Sequence, residues 1–360
     1  MKNVLLASVT TLVTLVLALV AIRNLAPRLA GVPIEVRYVQ SSQEVPPFFK
    51  NAFERAGTNE EPPDPVTVVR TAGLQDERPG HGPADLLGFR NEAVPIKADV
   101  IAIGDSQTYG YGVAFKDTWP KQLEARLAGK SVYSMACGGW GPTQYVVMGR
   151  LADRFRPKAV IVAYYTGNDP HDAFAEAYNK PRWKSLRAST TLDKNDQPKA
   201  VWPIPDDDQW DADLGGGVRT VFTPGYRFAS NDRSVPGVRE GYAIIARTAT
   251  AISDALQEVG ARVVFTIIPT KELAYAERVR AAGLKPPAPY RSLIADEPQN
   301  IDELAALLRK VPRGSYVDVV KPLQRAALGK LPLYRADIDG HPQGPAFAVI
   351  AEALAAELSR

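Results

Sequence analysis

Strands alternate with helices from residue 100 to the C-terminus, and this alternation predicts an α/β fold, a doubly wound parallel sheet flanked by helices. Two observations carry the prediction. Residues 100–103 and 159–165 are continuously apolar, as strands covered on both faces must be. The segments between such runs repeat their apolar residues at helical spacing. Residues 100–103 form the first strand and stop at Gly104. A helix over 117–128 follows, with Asp117 or Thr118 as its cap, Pro120 in its first turn, and Leu123 and Leu127 on one face. Residues 131–136 are the second strand, 143–155 a helix, and 159–165 a third strand rich in β-branched and aromatic side chains. A helix over 239–258 leads to a fourth strand over 262–268, and another helix starts at 269–279. A short fifth strand over 316–320 precedes the closing helix, 344–358, whose stripe is Phe347, Ile350, Leu354 and Leu358.

Composition excludes several classes of function. A chain of 360 residues with 45% hydrophobic and 23% charged side chains is globular and long enough to bury a large core. The net charge, 43 − 40 = +3, is spread along the chain, so no nucleic-acid partner is expected. Cys137 is the single cysteine, which excludes an intramolecular disulfide and a cysteine-based zinc site. Any histidine chemistry must use His81, His171 or His341. Asp169, His171 and Asp172 are too few ligands on an irregular loop for a metal, and neither a metal nor a cofactor is expected.

Residues 3–22 carry no charge and lie between Lys2 and Arg23. As a helix rising about 1.5 Å per residue, this run spans the hydrocarbon core of a bilayer. It lacks a small-residue cleavage site before Arg23, so an uncleaved anchor is expected rather than a signal peptide. Arg23, Arg28 and Arg37 alone would hold the body in the cytoplasm. Signal-anchor behaviour would place it outside, and the expectation is a single-pass bacterial inner-membrane protein with its body extracytoplasmic. The divisions are then an anchor at 1–30, a proline-rich stalk and lead-in at 31–94, and a domain at 95–360 with an insertion at about 171–238. Residues 88–91 are expected to pack on that domain.

Sites in doubly wound sheets lie at the carboxyl ends of the strands. After the first strand comes Gly104-Asp105-Ser106-Gln107, where a tight turn exposes a hydroxyl at a helix start. After the second comes Cys137-Gly138-Gly139-Trp140-Gly141, whose backbone N–H groups suit an oxyanion. After the third comes Gly167-Asn168-Asp169, offering an amide donor to the same oxyanion. Before the last helix comes Asp337-Ile338-Asp339-Gly340-His341, in which a carboxylate can fix the tautomer of a histidine that deprotonates a serine. Four strand ends thus supply the residue types that acyl transfer needs.

In this order the blocks resemble those of the SGNH (GDSL-type) hydrolases, over roughly residues 85–360. The resemblance implies the flavodoxin-like three-layer fold of that family, with Ser106 as nucleophile, Asp339 and His341 completing the catalytic set, and an oxyanion hole of Ser106, Gly139 and Asn168. The usual last block is Asp-x-x-His, but Ile338 lies three residues before His341. The Asp-x-His spacing of Asp339 is similar to that of the membrane-associated alginate acetyltransferase-like branch, with Asp337 in reserve. Ser134 stands where many members have asparagine, which removes a hydrogen bond supporting the turn. The implied activity is that of a serine esterase removing short acyl groups from a carbohydrate or cell-envelope ester. The alternatives are an O-acetyltransferase to an exopolysaccharide and an inactive glycan-binding or assembly protein.

Each residue also has a plainer reading. Ser106 could cap the helix that follows it, His341 could be a surface residue, and Asp105 is expected to fix the turn. Cys137 reads as a small buried residue. Trp140, Lys271 and Asp337 are candidate substrate contacts, Lys271 towards an anionic group, although a solvated helix-start lysine fits as well. The insertion, following Asn168, should overhang the pocket. Its Trp183, Trp202 and Trp210 either form a sugar platform or a private mini-core.

Overall fold

The computed structural model describes residues 82–85, 87–199 and 203–359. The expected anchor and most of the stalk lie outside them; among the described residues no helix is long and apolar enough to cross a membrane. The chain enters at β1 (Val100–Gly104), followed at once by the short α1 (Ser106–Tyr109) and then α2 (Trp119–Arg126). Next come β2 (Val132–Ala136), α3 (Pro142–Ala152), β3 (Ala159–Tyr165) and α4 (Asp169–Asn179). A hairpin of β4 (Trp210–Asp213) and β5 (Arg219–Phe222) passes through α5 (Pro224–Phe228) to α6 (Pro236–Ala255) and β6 (Arg262–Ile268). The remainder is α7 (Lys271–Ala274), α8 (Ala276–Ala281), α9 (Ala288–Leu308), β7 (Gly314–Val317), α10 (Val320–Ala327) and α11 (Gly344–Leu358).

Five strands form a parallel sheet in the order β2-β1-β3-β6-β7. The order reverses at β1, so a crevice opens where β1 and β3 end, which is where such sheets place their ligands. Both faces are covered. Ile101 and Ile103 of β1 face a core with Tyr145, Phe174, Ile245 and Leu304. Val100 and Ala102 face a second core with Leu123, Phe222, Phe347 and Ile350. Double coverage is the reason these strands read as unbroken apolar runs instead of alternating.

The elements expected from sequence are present within a few residues of their predicted ends, and Thr118 caps α2, its hydroxyl accepting from the Lys121 N–H. The fifth strand is displaced: β7 ends at Val317, Asp318 Oδ1 takes the Val320 N–H at 2.9 Å, and α10 begins there. Helix α9 lies where the sequence pattern predicts no element. Pro286, Pro287, Pro289 and Pro298 read as breakers, but Pro289 sits in the first turn, where no backbone donor is needed. Pro298 interrupts the interior, yet the helix buries Leu293, Ile301, Leu304 and Leu308, and that packing outweighs one lost hydrogen bond.

The described part of the lead-in is packed against the sheet. Residues 88–91 pack on the domain as expected, but the integral segment extends back to Gly82. Phe89 and Arg90 are buried, and Asp85 accepts from the Tyr133 hydroxyl at 2.8 Å. Asn91 bonds both the N–H and the C=O of Ser134 at 2.9 Å each, capping the outer edge of β2, while the Ser134 hydroxyl itself is buried without a partner. The tryptophans, as far as they are described, are not a platform. Trp183 is buried in the larger core, and Trp210 packs against Phe222 and Tyr290; Trp202 lies outside the described residues.

Candidate active site

Ser106 is the first residue of α1, at the end of β1, the strand at which the sheet order reverses. It does not cap that helix: the Asp105 carboxylate does, accepting the Gln107 N–H at 2.8 Å. Burial is the largest influence on the Asp105 carboxyl and pushes it above the usual carboxylate range, against the pull of the Gln107 N–H and the His341 charge. The Ser106 hydroxyl lies 2.8 Å from His341 Nε2, and His341 Nδ1 lies 2.5 Å from Asp339 Oδ1. These three side chains, with Ser106 235 positions from His341, form one hydrogen-bonded chain.

The loop carrying His341 is held mainly by its own acids. Asp339 Oδ1 also accepts the His341 N–H at 3.0 Å, and Asp337 Oδ1 accepts the Asp339 N–H at 3.0 Å. Burial works to raise the Asp339 carboxyl, but the hydrogen bond and charge of His341 outweigh it and hold the group below its ordinary value. Asp337 therefore supports the loop while Asp339 meets the imidazole. Lys271 is not a substrate contact. It is 1% exposed, and its ammonium donates to the carbonyls of Val221, Asp337 and Asp339 at 2.7, 2.8 and 3.1 Å. Burial lowers it to about 8, and its role is a strut beneath the loop. Trp140 likewise points away from the cavity, into the core edge-on to Phe89 at 6.1 Å, because the turn that exposes Gly139 buries the next side chain.

Gly139 has φ +80°, a conformation that side-chain-bearing residues rarely adopt, and it lines the cavity beside Ser106 and Asn168. Neither its N–H nor that of Ser106 has an acceptor among the described residues. Asn168 donates one amide hydrogen to Asp172 Oδ2 at 2.7 Å, which orients the amide and leaves its second hydrogen available. Asp172 is in turn bonded to His171, and His171 to Gln197, so this histidine braces the Asn168 side. Asp169 is buried beneath, accepting from the Tyr145 hydroxyl and the Tyr165 N–H. Among the described residues no group of three or more His, Cys, Asp or Glu side chains is arranged to hold a metal ion. Cys137 is buried in the larger core.

The Asn168 turn rests on Glu297, from the unforeseen helix α9. Its carboxylate accepts from the Thr166 hydroxyl at 2.6 Å and from the Thr270 N–H and hydroxyl at 2.8 and 2.6 Å, tying the ends of β3 and β6 together. Burial, only partly offset by these donors, pushes Glu297 from 4.5 up to about 7. At pH below 4.5 the acid is neutral in both folded and unfolded chains. Between 4.5 and about 7 only the unfolded chain releases its proton, so stability falls as pH rises, by on the order of 1.4 kcal/mol per unit. Other buried carboxyls such as Asp105 titrate in both proteins, so urea unfolding at pH 5 and pH 8 should show a loss larger in the wild type than in Glu297→Gln by up to about 3 kcal/mol. An equal loss in both proteins would refute this linkage.

The cavity over these groups has a volume of about 1020 Å³. Ser106, Gly139, Asn168, Asp337, Asp339 and His341 line it, and the insertion adds Ile204, Tyr226, Arg227 and Ser230. The insertion thus overhangs the pocket as expected, but through these residues and not its described tryptophans. Tyr111, 49% exposed, stands with its ring 4.9 Å from that of His341. The sequence offered no pattern pointing to Tyr111, Arg227 or Glu297; Tyr111 arrives locally, its N–H bonded to the Ser106 carbonyl at 3.1 Å, whereas Arg227 and Glu297 reach the site by tertiary folding alone. A hydroxyl bonded to an imidazole, itself oriented by a carboxylate, is the arrangement that activates serine for acyl transfer, and three donors can meet the resulting oxyanion.

The profile of the GDSL-like lipase/acylhydrolase family matches residues 102–345. Among solved structures, TesA is 15% identical, with 72% of this chain and 97% of that one covered and a TM-score of 0.38. A GDSL-like lipase from Bacteroides thetaiotaomicron VPI-5482 is 11% identical, covering 72% and 87% of the two chains with a TM-score of 0.36. The psychrotrophic esterase EstA from Pseudoalteromonas sp., in a structure inhibited by monoethylphosphonate, is 11% identical, covering 73% and 100% with a TM-score of 0.32. No curated protein matches the chain in sequence.

Proposed function

Because the chain belongs to the GDSL-like lipase/acylhydrolase family and is an ester-bond hydrolase, we propose that Ser106 is its nucleophile and that it removes short acyl groups from an O-acylated carbohydrate or cell-envelope ester. The observation that carries this reading is the hydrogen-bonded chain Ser106–His341–Asp339. His341 Nε2 takes the hydroxyl proton as Ser106 Oγ attacks the ester carbonyl. Asp339 holds Nδ1–H and stabilises the imidazolium. The carbonyl oxygen, now negative, meets the N–H groups of Ser106 and Gly139 and the free amide hydrogen of Asn168. His341 then protonates the departing alcohol, leaving an acyl-Ser106 that water cleaves by the reverse route.

Support for a sugar alcohol is the exposed face of Tyr111 beside His341, since an aromatic plane suits a C–H-rich ring. Asp339-x-His341 spacing favours a second reading, transfer of the acyl group to a sugar hydroxyl in place of water. The uncharged run at 3–22 supports attachment to a membrane with the domain extracytoplasmic.

A serine-directed fluorophosphonate should label the protein, with mass spectrometry placing the adduct on the Ser106 peptide and Ser106→Ala remaining unlabelled. Hydrolysis of nitrophenyl acetate, butyrate and octanoate should fall with chain length. An adduct elsewhere would overturn the nucleophile, and a rate rising to octanoate would overturn the short acyl group. Acceleration of acyl release by an added glycan would favour the transferase.

A further inference from the structure

Resting on the reading of Ser106 as nucleophile and His341 as base, we infer that Arg227 is an anion-recognition residue and that the ester's alcohol portion carries a carboxylate. Arg227 belongs to α5, in the insertion, and lines the cavity. Its guanidinium lies over the rings of Tyr226 and Tyr165, with centroid distances of 4.8 and 5.7 Å. Such cation–π contacts hold the charged group without giving its N–H donors an oxygen acceptor. Among the described residues its side chain donates no hydrogen bond, unlike buried Arg90 and Arg278, which each bond several carbonyls. The carboxylates acting on it, Glu272 and Asp339, do so through space. Glu272 accepts the Thr223 N–H through Oε1, its buried Oε2 making no hydrogen bond to Arg227 or to any other described residue, and Asp339 is taken by His341. The nearby Tyr165 hydroxyl is buried and also lacks a partner. A partly buried guanidinium facing a cavity without an acceptor is costly unless a ligand completes it.

Its position assigns the anion to one side of the ester. A methyl group added at Gly340 would stand 2.6 Å from an Arg227 terminal nitrogen, so the guanidinium abuts the backbone between Asp339 and His341. His341 must protonate the departing oxygen, which puts the alcohol on this flank and the acyl oxygen on the opposite one, at Gly139 and Asn168. Planar, forked donors match the two oxygens of a carboxylate. Arg335, the other guanidinium at the rim, has its Nε engaged by Asp337 and is half exposed, so it serves as the control.

The test compares 3-acetoxybenzoate with its neutral isostere 3-acetoxybenzamide. The wild type should prefer the carboxylate by about 10- to 100-fold in kcat/KM, mainly through KM. Arg227→Gln should erase that preference by lowering the rate on the carboxylate far more than on the amide, Arg227→Lys should retain part of it, and Arg335→Gln should keep it. Equal wild-type rates on the two esters, or equal loss on both in Arg227→Gln, would overturn the assignment. Calorimetry with the products separates this inference from the hydrolase reading. If neither ester turns over, the reading of Ser106 fails. Tighter binding of 3-hydroxybenzoate than of 3-hydroxybenzamide, lost in Arg227→Gln, would still support the anion site; equal binding would reject it.

Discussion

Asp339→Asn should lower kcat for ester hydrolysis by about four orders of magnitude, whereas Asp337→Asn should cost about tenfold or less. The carboxylate of Asp339 can only accept, so it keeps the proton of His341 on Nδ1 and leaves Nε2 free to receive the one from Ser106. An asparagine amide can donate to Nδ1 instead, shifting the proton to Nε2, where the ring no longer acts as a base. At position 337 the group in use is an oxygen accepting the Asp339 N–H, and asparagine retains one. What it loses is the charge that meets Arg335, a half-exposed pair of small value. Ser106→Ala sets the floor, at a loss of about a millionfold. Steady-state kinetics of the three variants check the assignment. A loss at Asp337→Asn as large as at Asp339→Asn would reassign the imidazole's partner.

Arg90→Met should lower stability by about 3–5 kcal/mol, the range for stripping one partner from a buried charged cluster. Arg90 is 1% exposed and donates to the carbonyls of Tyr109, Gly110, Val113 and Gly82. Methionine fills most of the volume but leaves these acceptors buried without donors, each at about 1–3 kcal/mol before relaxation. Lysine should not rescue it, because one ammonium cannot reproduce a planar fork that serves several carbonyls at once. Thermal unfolding should show a Tm lower by roughly 10 °C, and kcat should fall as well, since the released carbonyls follow Ser106 directly. A variant with unchanged Tm would show that Arg90 does not brace the nucleophile turn. Lys121→Met, which breaks ion pairs with Glu92 and Glu124 near the surface, should cost about 1 kcal/mol or less and controls for loss of charge.

The sequence made legible whatever depends on local spacing. Buried strands announce themselves as apolar runs, and strand-end turns carry short motifs, so the sheet and the positions of Ser106, Gly139, Asn168 and His341 could be read in order. The resemblance of the Asp-x-His block pointed to Asp339 over Asp337, and it is Asp339 that bonds His341 Nδ1. What stayed hidden depends on partners distant in the chain. Lys271 looks like an exposed helix-start cation until the loop at 337–339 folds over it. Trp140 beside Gly139 looks like a substrate contact until the turn sends it inward. Helix α9 was masked by its prolines, and with it the clamp that Glu297 places on two strand ends. Arg90 sits in a segment whose composition resembles a linker, and nothing local distinguishes a buried arginine from a solvated one.

The residues proposed for the acyl-transfer chemistry and those proposed to recognise the substrate's anion lie on separate stretches of the chain. Ser106 follows β1 and His341 precedes α11, whereas Ile204, Tyr226 and Arg227 all arrive on the long crossover between β3 and β6. That crossover is anchored by its own small hairpin and by Trp210 packed on Phe222 and Tyr290. A lineage could therefore exchange the rim of the cavity by insertion, deletion or recombination within one contiguous segment, leaving the reacting groups and the sheet that aligns them untouched.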